Sequence, residues 1–285
     1  MSQPRTIQIF LPSGDPAGIR VAELTTSILR LIEVPRNQLA AFLKMEEAHQ
    51  VGLYFLVAEE DGGELYIGQS GDVGRRLEHH IRDESKDWWE KALVLVSLTN
   101  SFTQTHVLYL EHLAIAQAKA CARYKISNAN QGQRPHAPLP LQADCHEIHR
   151  LGNLLLATLG YPIFEPLINE TSNNASEQTY FYFRRSGIEA KGVYTNEGMV
   201  VLKGSQTPLE TQVQVSERLA ERRQQLVENG ILLKQGDMLV FTQDHLFKSP
   251  SGASGVLLQG ASNGWVDWRT DGGKTLREYQ EEFLD

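Results

Sequence analysis

Apolar positions along the chain fall into short alternating runs and longer stretches with helical spacing, and their order predicts a mixed α+β protein. Ile7-Gln-Ile-Phe-Leu11 predicts a strand, Ser13-Gly-Asp-Pro16 supplies turn chemistry, and Val21 to Ile32 predicts a helix. Residues 1–50 thus form an N-terminal strand-helix extension. Two strand-like stretches follow, Val51 to Val57 and Glu64 to Ile67, with Glu59-Glu-Asp-Gly-Gly63 as the hairpin loop between them. Asp72 is placed to cap a helix from Val73 to Arg82. The Val- and Leu-rich segment Ala92 to Leu98 predicts a third strand, and a helix from about His106 to Ala122 completes a small α/β unit.

Pro135, Pro138 and Pro140 make the stretch from Gln131 to Leu141 the strongest linker signal, although an amphipathic helix from Asp144 to Leu159 follows it. The first domain is expected to end near Leu167. Polar residues 168–178 lack any hydrophobic period and read as the boundary. Residues 179–285 then read as a second α+β domain. It opens on a meander of strands at Tyr180 to Arg184, Val193 to Thr195 and Met199 to Leu202, with turns at Ser186-Gly187 and Asn196-Glu-Gly198. A helix from Leu209 to Glu228 is closed by Asn229-Gly230. No internal repeat is found.

Composition adjusts this picture in three ways. At 285 residues the chain is long enough for two domains, and 41% hydrophobic with 22% charged residues is ordinary for folded globular chains. Its two cysteines, Cys121 and Cys145, cannot build a disulfide framework and fit a reducing cytoplasm. Met1 to Ile9 lacks a signal-peptide core, and no apolar run reaches membrane-spanning length, so a cytoplasmic protein with no membrane partner is expected. The net charge of −8 argues against a generic polyanion binder, so any nucleic-acid site must be a local patch.

Candidate chemistry lies in the first domain. Tyr54 in Gly52-Leu53-Tyr54 and Tyr66 in Tyr66-Ile67-Gly68 sit on the two arms of the hairpin, an even number of positions apart. An odd-length loop centred near Glu60 would put them opposite one another on one face, whereas an even-length loop would split them. Two strand tyrosines that merely pack fit equally well. Arg76 and His80 are one helical turn apart beside the buried stripe of Leu77 and Ile81, a position that suits an active site. Arg75 and His79 share that spacing, and such pairs are usually solvated. Glu111 lies in the otherwise apolar row Val107, Glu111, Ile115, where a carboxylate is costly unless it is paired or binds a cation. A single carboxylate with open water positions suits Mg²⁺, and a salt bridge is the alternative.

In this order the residues resemble the GIY-YIG nuclease family over roughly Val51 to Asn130. The Gly52–Tyr54 triplet is followed after eleven residues by the Tyr66–Gly68 triplet, then Arg76, His80 and Glu111. Leu53 stands for the family's Ile, and Asn128 matches the Asn that follows the glutamate helix, with Asn130 as the alternative. The resemblance implies a small antiparallel sheet flanked by helices over residues 51–167 and a divalent-metal-dependent endonuclease acting on nucleic acid, chiefly DNA. It implies that Glu111 holds one Mg²⁺ or Mn²⁺ and that Arg76 counters phosphoryl charge. By the same implication Tyr54, Tyr66 and His80 prepare or orient the attacking water, while Asn128, Arg75 and Gly68 contact substrate. An unperturbed tyrosine, with a pKa near ~10, is a poor base at neutral pH, so Tyr54 stands as base or water-orienter.

Asp144, Cys145, His146 and His149 offer metal-binding residue types, but four ligands are needed for a closed site and a solvated helix face is the better reading. The C-terminal stretch resembles a domain of unknown function common behind such nucleases, and more remotely modules of restriction systems and adenine methylases. Ser249-Pro-Ser251, Gly255, Asn263-Gly-Trp265 and Trp268 carry that resemblance. It implies DNA contact, with Trp265 and Trp268 either stacking on a flipped base or closing a core. Arg218, Arg222 and Arg223 read as a solvated helix face. The competing reading for the whole chain is a nucleic-acid-binding or modification-reading protein that keeps the nuclease fold without turnover.

Overall fold

A computed structural model describes residues 4–58, 63–129, 135–168, 178–209 and 216–282. The chain divides into two compact units, Met1–Glu165 and Pro166–Asp285. Both are mixed α+β, with antiparallel-rich sheets flanked by helices. The hairpin loop at 59–62, Asn130, residues 131–134 and most of the polar boundary at 169–177 lie outside the described residues.

The helix expected over Val21 to Ile32 is instead a β-hairpin. After β1 (Ile7–Phe10), β2 (Arg20–Leu24) and β3 (Leu29–Pro35) pair antiparallel, with Arg20 opposite Glu33 and Ala22 opposite Leu31. Val21, Ile32 and Val34 enter one apolar cluster, while Ala22, Leu24, Leu29 and Leu31 enter another on the opposite face. Strands covered on both faces lose the apolar-polar alternation that marks them in sequence, and their continuous apolar run imitates a helix. The chain reverses where Ser27 Oγ accepts the Leu29 N–H at 3.2 Å. The first 50 residues therefore supply strands to the main sheet of the first unit, where an extension was expected.

That sheet is completed after the short helix α1 (Leu39–Phe42) by β4 (Gly52–Val57), β5 (Glu64–Ser70), β6 (Lys91–Ser97) and β7 (Lys125–Ile126). It runs β1-β2-β3-β6-β4-β5-β7 and is antiparallel except for the β5–β7 pair. Leu53, Phe55, Val57, Leu65 and Ile67 pack on one face with residues of α3 (Gln104–Cys121) and α4 (Leu139–Thr158). Each such side chain, fully buried, contributes roughly 1.5–3 kcal/mol. Tyr54 and Leu56 pack on the other face with Phe42, Trp89 and residues of α2 (Val73–Ile81). Asp72 caps α2 by accepting the Arg75 N–H at 2.9 Å, and Thr103 caps α3 in a reciprocal arrangement with His106. The proline-rich stretch is in part a helix start: Pro138 is the N-cap of α4 and Pro140 sits in its first turn, where a missing N–H costs nothing.

In the second unit, β8 (Tyr180–Arg185) and β9 (Ile188–Thr195) form a hairpin through Ser186 and Gly187, both at positive φ, as a tight two-residue turn requires. β10 (Gly198–Val201), β11 (Gln206–Pro208), β12 (Leu232–Gln235), β13 (Met238–Phe241) and β14 (His245–Phe247) complete its sheet, in the order β12-β13-β11-β9-β10-β14 with β8 on β9. Helix α5 (Glu217–Glu228) is shorter than the expected Leu209–Glu228: Leu209 lies outside it, and residues 210–215 are outside the described set. Gly230, at φ 72°, ends it as expected. Helices α6 (Pro250–Leu258), α7 (Gly264–Asp267) and α8 (Leu276–Glu281) follow. No helix among the described residues is long and apolar enough to cross a membrane.

Candidate active site

The β4–β5 register sets Tyr54 opposite Gly68 and Leu56 opposite Tyr66. Tyr54 and Tyr66 thus share a face, as an odd-length loop requires, but they meet diagonally rather than directly opposite, with ring centroids 6.2 Å apart. Gly68 has a steric reason: a Cβ there would lie 2.3 Å from Tyr54 Oη, so only glycine lets the phenol lie across β5. Tyr54 is fully buried and tied at its oxygen, so its ring cannot swing aside. Gly68→Ala is expected to lower stability by about 1–3 kcal/mol and displace Tyr54, read as a fall in melting temperature with a change in tyrosine near-ultraviolet dichroism.

Helix α2 brings Arg76 and His80 onto the same phenol. His80 Nε2 lies 2.8 Å from Tyr54 Oη, and Arg76 Nε donates to that oxygen at 3.3 Å. His80 also packs edge-on against Tyr66, at 5.4 Å between centroids. Burial pushes the Tyr54 phenol well above its ordinary range, with repulsion from Tyr66 adding to it and Arg76 opposing. Burial, and then the charges of Lys86 and Arg76, push His80 down to about 4, so at neutral pH it is an uncharged imidazole. Lys86, which nothing in the sequence pattern marked, completes the group: its Nζ lies 3.2 Å from His80 Nδ1 and 3.4 Å from the Tyr66 ring centroid.

Glu111 approaches from the other helical layer at the edge of the sheet. Because β7 pairs with β5 only at Glu64 and Leu65, the remaining edge of β5 is satisfied by side chains. Asn128 Oδ1 accepts the Ile67 N–H at 3.0 Å and its Nδ2 donates to Ile67 O at 2.7 Å, so its amide imitates a neighbouring strand. Two residues further along β5, the Gln69 N–H faces the Glu111 carboxylate and favours its charged form. Burial raises the pKa of Glu111, opposed by that N–H and by the charge of Arg76. The structure therefore groups Tyr54, Tyr66, Arg76 and His80, and Glu111 lies within reach of the Arg76 charge. Gly68 and Asn128, expected to touch substrate, serve the framework around Tyr54 and β5, while the Arg75 side chain is exposed to solvent.

The donor set suits a cation held chiefly by water. Glu111 offers one carboxylate, and among the described residues no group of three or more His, Cys, Asp or Glu could hold a metal. Magnesium is commonly bound this way, by one carboxylate, waters and substrate oxygens. His149, by contrast, bonds Gln117 Oε1 at 2.6 Å and packs on Phe164, and burial pushes it down to about 4. Cys145 is a buried free thiol pushed up to about 11 by burial.

In the second unit, Trp268 closes the core: it is fully buried and donates through Nε1 to Pro250 O at 3.1 Å. Gly264 presses against the start of α6, where a Cβ would meet Pro250 at 2.2 Å, and its N–H donates to Ser251 Oγ at 3.0 Å. The Ser249–Ser251 and Asn263–Trp265 motifs are thus two halves of one packing contact. Trp265 is partly exposed and stands edge-on to Tyr194. Arg223 corrects the expected solvated face, because it is 2% exposed and donates to Leu257 O and Pro208 O. Burial pushes it down to about 10.

No curated protein matches the chain, and no solved structure matches it. Residues 181–280, within the second unit, match the family described as a domain of unknown function, DUF4357.

Proposed function

We propose that the first unit is a divalent-metal-dependent endonuclease of the GIY-YIG type that hydrolyses nucleic-acid phosphodiesters, DNA foremost, and that the C-terminal unit aids substrate selection. One observation carries the proposal: the Tyr54 phenol is bonded by both His80 and Arg76, and Glu111 stands within reach of the Arg76 charge.

The roles follow from the chemistry of these groups. Arg76 uses Nε on Tyr54 and presents the rest of its fork to the phosphoryl oxygens, where charge grows as water attacks and the ester bond breaks. Tyr54, held protonated by burial and closed to solvent, does not abstract a proton; it orients the water or a phosphate oxygen through Arg76 and Tyr66, its partners at the oxygen. His80 is neutral and supports Tyr54, and Tyr66 flanks both rings. Glu111 would hold Mg²⁺ or Mn²⁺, which supplies Lewis-acid activation of the scissile phosphate when bound. Exposed Arg75, Arg76 and Arg82 on and just after α2 give the local positive patch that a chain of net charge −8 needs in order to meet a polyanion.

The catalytically silent alternative is supported by the same protonated Tyr54, which leaves no evident general base. The test is incubation of the full chain with end-labelled single-stranded, duplex and branched DNA and with RNA, in Mg²⁺, in Mn²⁺ or in chelator. Cleavage that requires a cation is expected, with Arg76→Ala lowering kcat by about 10²–10³-fold. No cleavage of any substrate with either metal removes the nuclease reading.

A further inference from the structure

The geometry points to Lys86 as a positioning residue that holds His80 in the tautomer protonated at Nε2, so that two donors converge on the Tyr54 oxygen. Only the catalytic consequence rests on the nuclease reading. Lys86 closes the short helical turn Glu84–Lys86 that follows α2. The turn is itself fixed: Asp83 Oδ1 accepts the Ser85 N–H at 3.1 Å and the Ser85 hydroxyl at 2.6 Å, and the Lys86 N–H donates to Asp83 O at 2.9 Å.

An ammonium group has only protons to offer, so the His80 Nδ1 that lies 3.2 Å from Lys86 Nζ must present its lone pair. A neutral imidazole accepting at Nδ1 carries its proton on Nε2, the atom 2.8 Å from Tyr54 Oη. Arg76 Nε is likewise a donor to that oxygen, at 3.3 Å. Tyr54 Oη therefore accepts from two sides, and its own proton is turned away from His80 toward Tyr66. In the opposite tautomer an Nδ1–H would face the ammonium, and the bare Nε2 would draw the phenol proton to itself and away from Tyr66. The same ammonium sits on the Tyr66 ring, 3.4 Å from its centroid, so one side chain fixes the orientation of both aromatic neighbours of Tyr54.

The test is nitrogen-proton correlation through the imidazole ring of His80 at neutral pH, in the ¹⁵N-histidine-labelled full chain, with His80→Gln to assign the signal. Wild type is expected to show the Nε2–H tautomer, Lys86→Met to populate the Nδ1–H form, and Lys86→Arg to restore the wild-type pattern. In cleavage assays Lys86→Met should lower kcat by about tenfold or more with KM unchanged, and Lys86→Arg should recover part of that loss. An Nδ1–H tautomer in wild type overturns the assignment, as does an unchanged tautomer in a folded Lys86→Met. Should Lys86→Met not fold, the wild-type spectrum with Lys86→Arg decides. A tautomer that follows Lys86 in a chain that cleaves nothing sustains the positioning role and removes the nuclease reading alone.

Discussion

Glu111→Gln is expected to reduce metal-dependent cleavage by about 10³-fold while leaving the fold intact. The substitution keeps the shape of the side chain and an oxygen able to accept the Gln69 N–H, so the edge of β5 stays satisfied. What it removes is the negative charge that would hold the cation. Burial already works against that charge, as the raised pKa of Glu111 records, so the neutral amide should leave thermal stability unchanged or raise it. This pairing of outcomes separates a working carboxylate from a structural one, whose loss would lower both activity and stability. The measurements are initial cleavage rates at saturating Mg²⁺, Mn²⁺ calorimetry, and melting in chelator. A Gln variant that cleaves as wild type does contradicts the assignment.

Glu33→Ala is expected to show the opposite pattern, costing about 3 kcal/mol of stability in the first unit without touching the site chemistry. Glu33 follows Leu29 and Leu31 in the buried row of β3, and its side chain is only 3% exposed. It pairs with Arg20, its neighbour across β2, and with Lys91 Nζ at 3.4 Å. Tyr161, beside this cluster, is pushed up to about 12 by burial and then by the Glu33 charge. Arg20 also reaches Leu159 O at 3.4 Å, so the cluster ties β2, β3 and β6 to the end of α4. Removing the carboxylate takes a buried counter-charge from Arg20 and Lys91, each about a quarter exposed, which places the cost at the lower end for buried pairs. The thermal midpoint of the first unit should fall by about 6–12 °C. Because the chain has two compact units, the transition should be followed by the near-ultraviolet signals of each. A change within about 0.5 kcal/mol contradicts this account of Glu33.

These two glutamates show how far the sequence could be read. Both sit in apolar rows, but only the fold reveals that one faces Arg20 and Lys91 while the other faces a sheet edge and Arg76. The hairpin arms, the Asp72 cap and the helix bearing Arg76 and His80 were legible because each carries a local signal: alternation, a capping residue, an apolar stripe. The β2–β3 hairpin was not, since burial on both faces erases the alternation. The tyrosine register stayed open between one shared face and two, because it turns on the loop length, which leaves no unique trace in composition. Asn128 and Arg223 take their roles from backbone groups distant in sequence, and Lys86 from a short turn that folds back on His80 six residues before it, and no spacing rule points to such partners. The motifs of the second unit marked the right residues, yet Trp268 and Gly264 turn out to be packing partners of Pro250.

The most direct measurement is anomalous scattering from crystals of the full chain soaked in Mn²⁺, compared with the Glu111→Gln variant. A single strong Mn²⁺ peak bonded to the Glu111 carboxylate, beside Arg76 and Tyr54 and absent from the variant, is the expected result. Mn²⁺ bound only elsewhere, or a peak at this edge that survives Glu111→Gln, contradicts the proposed metal-dependent site.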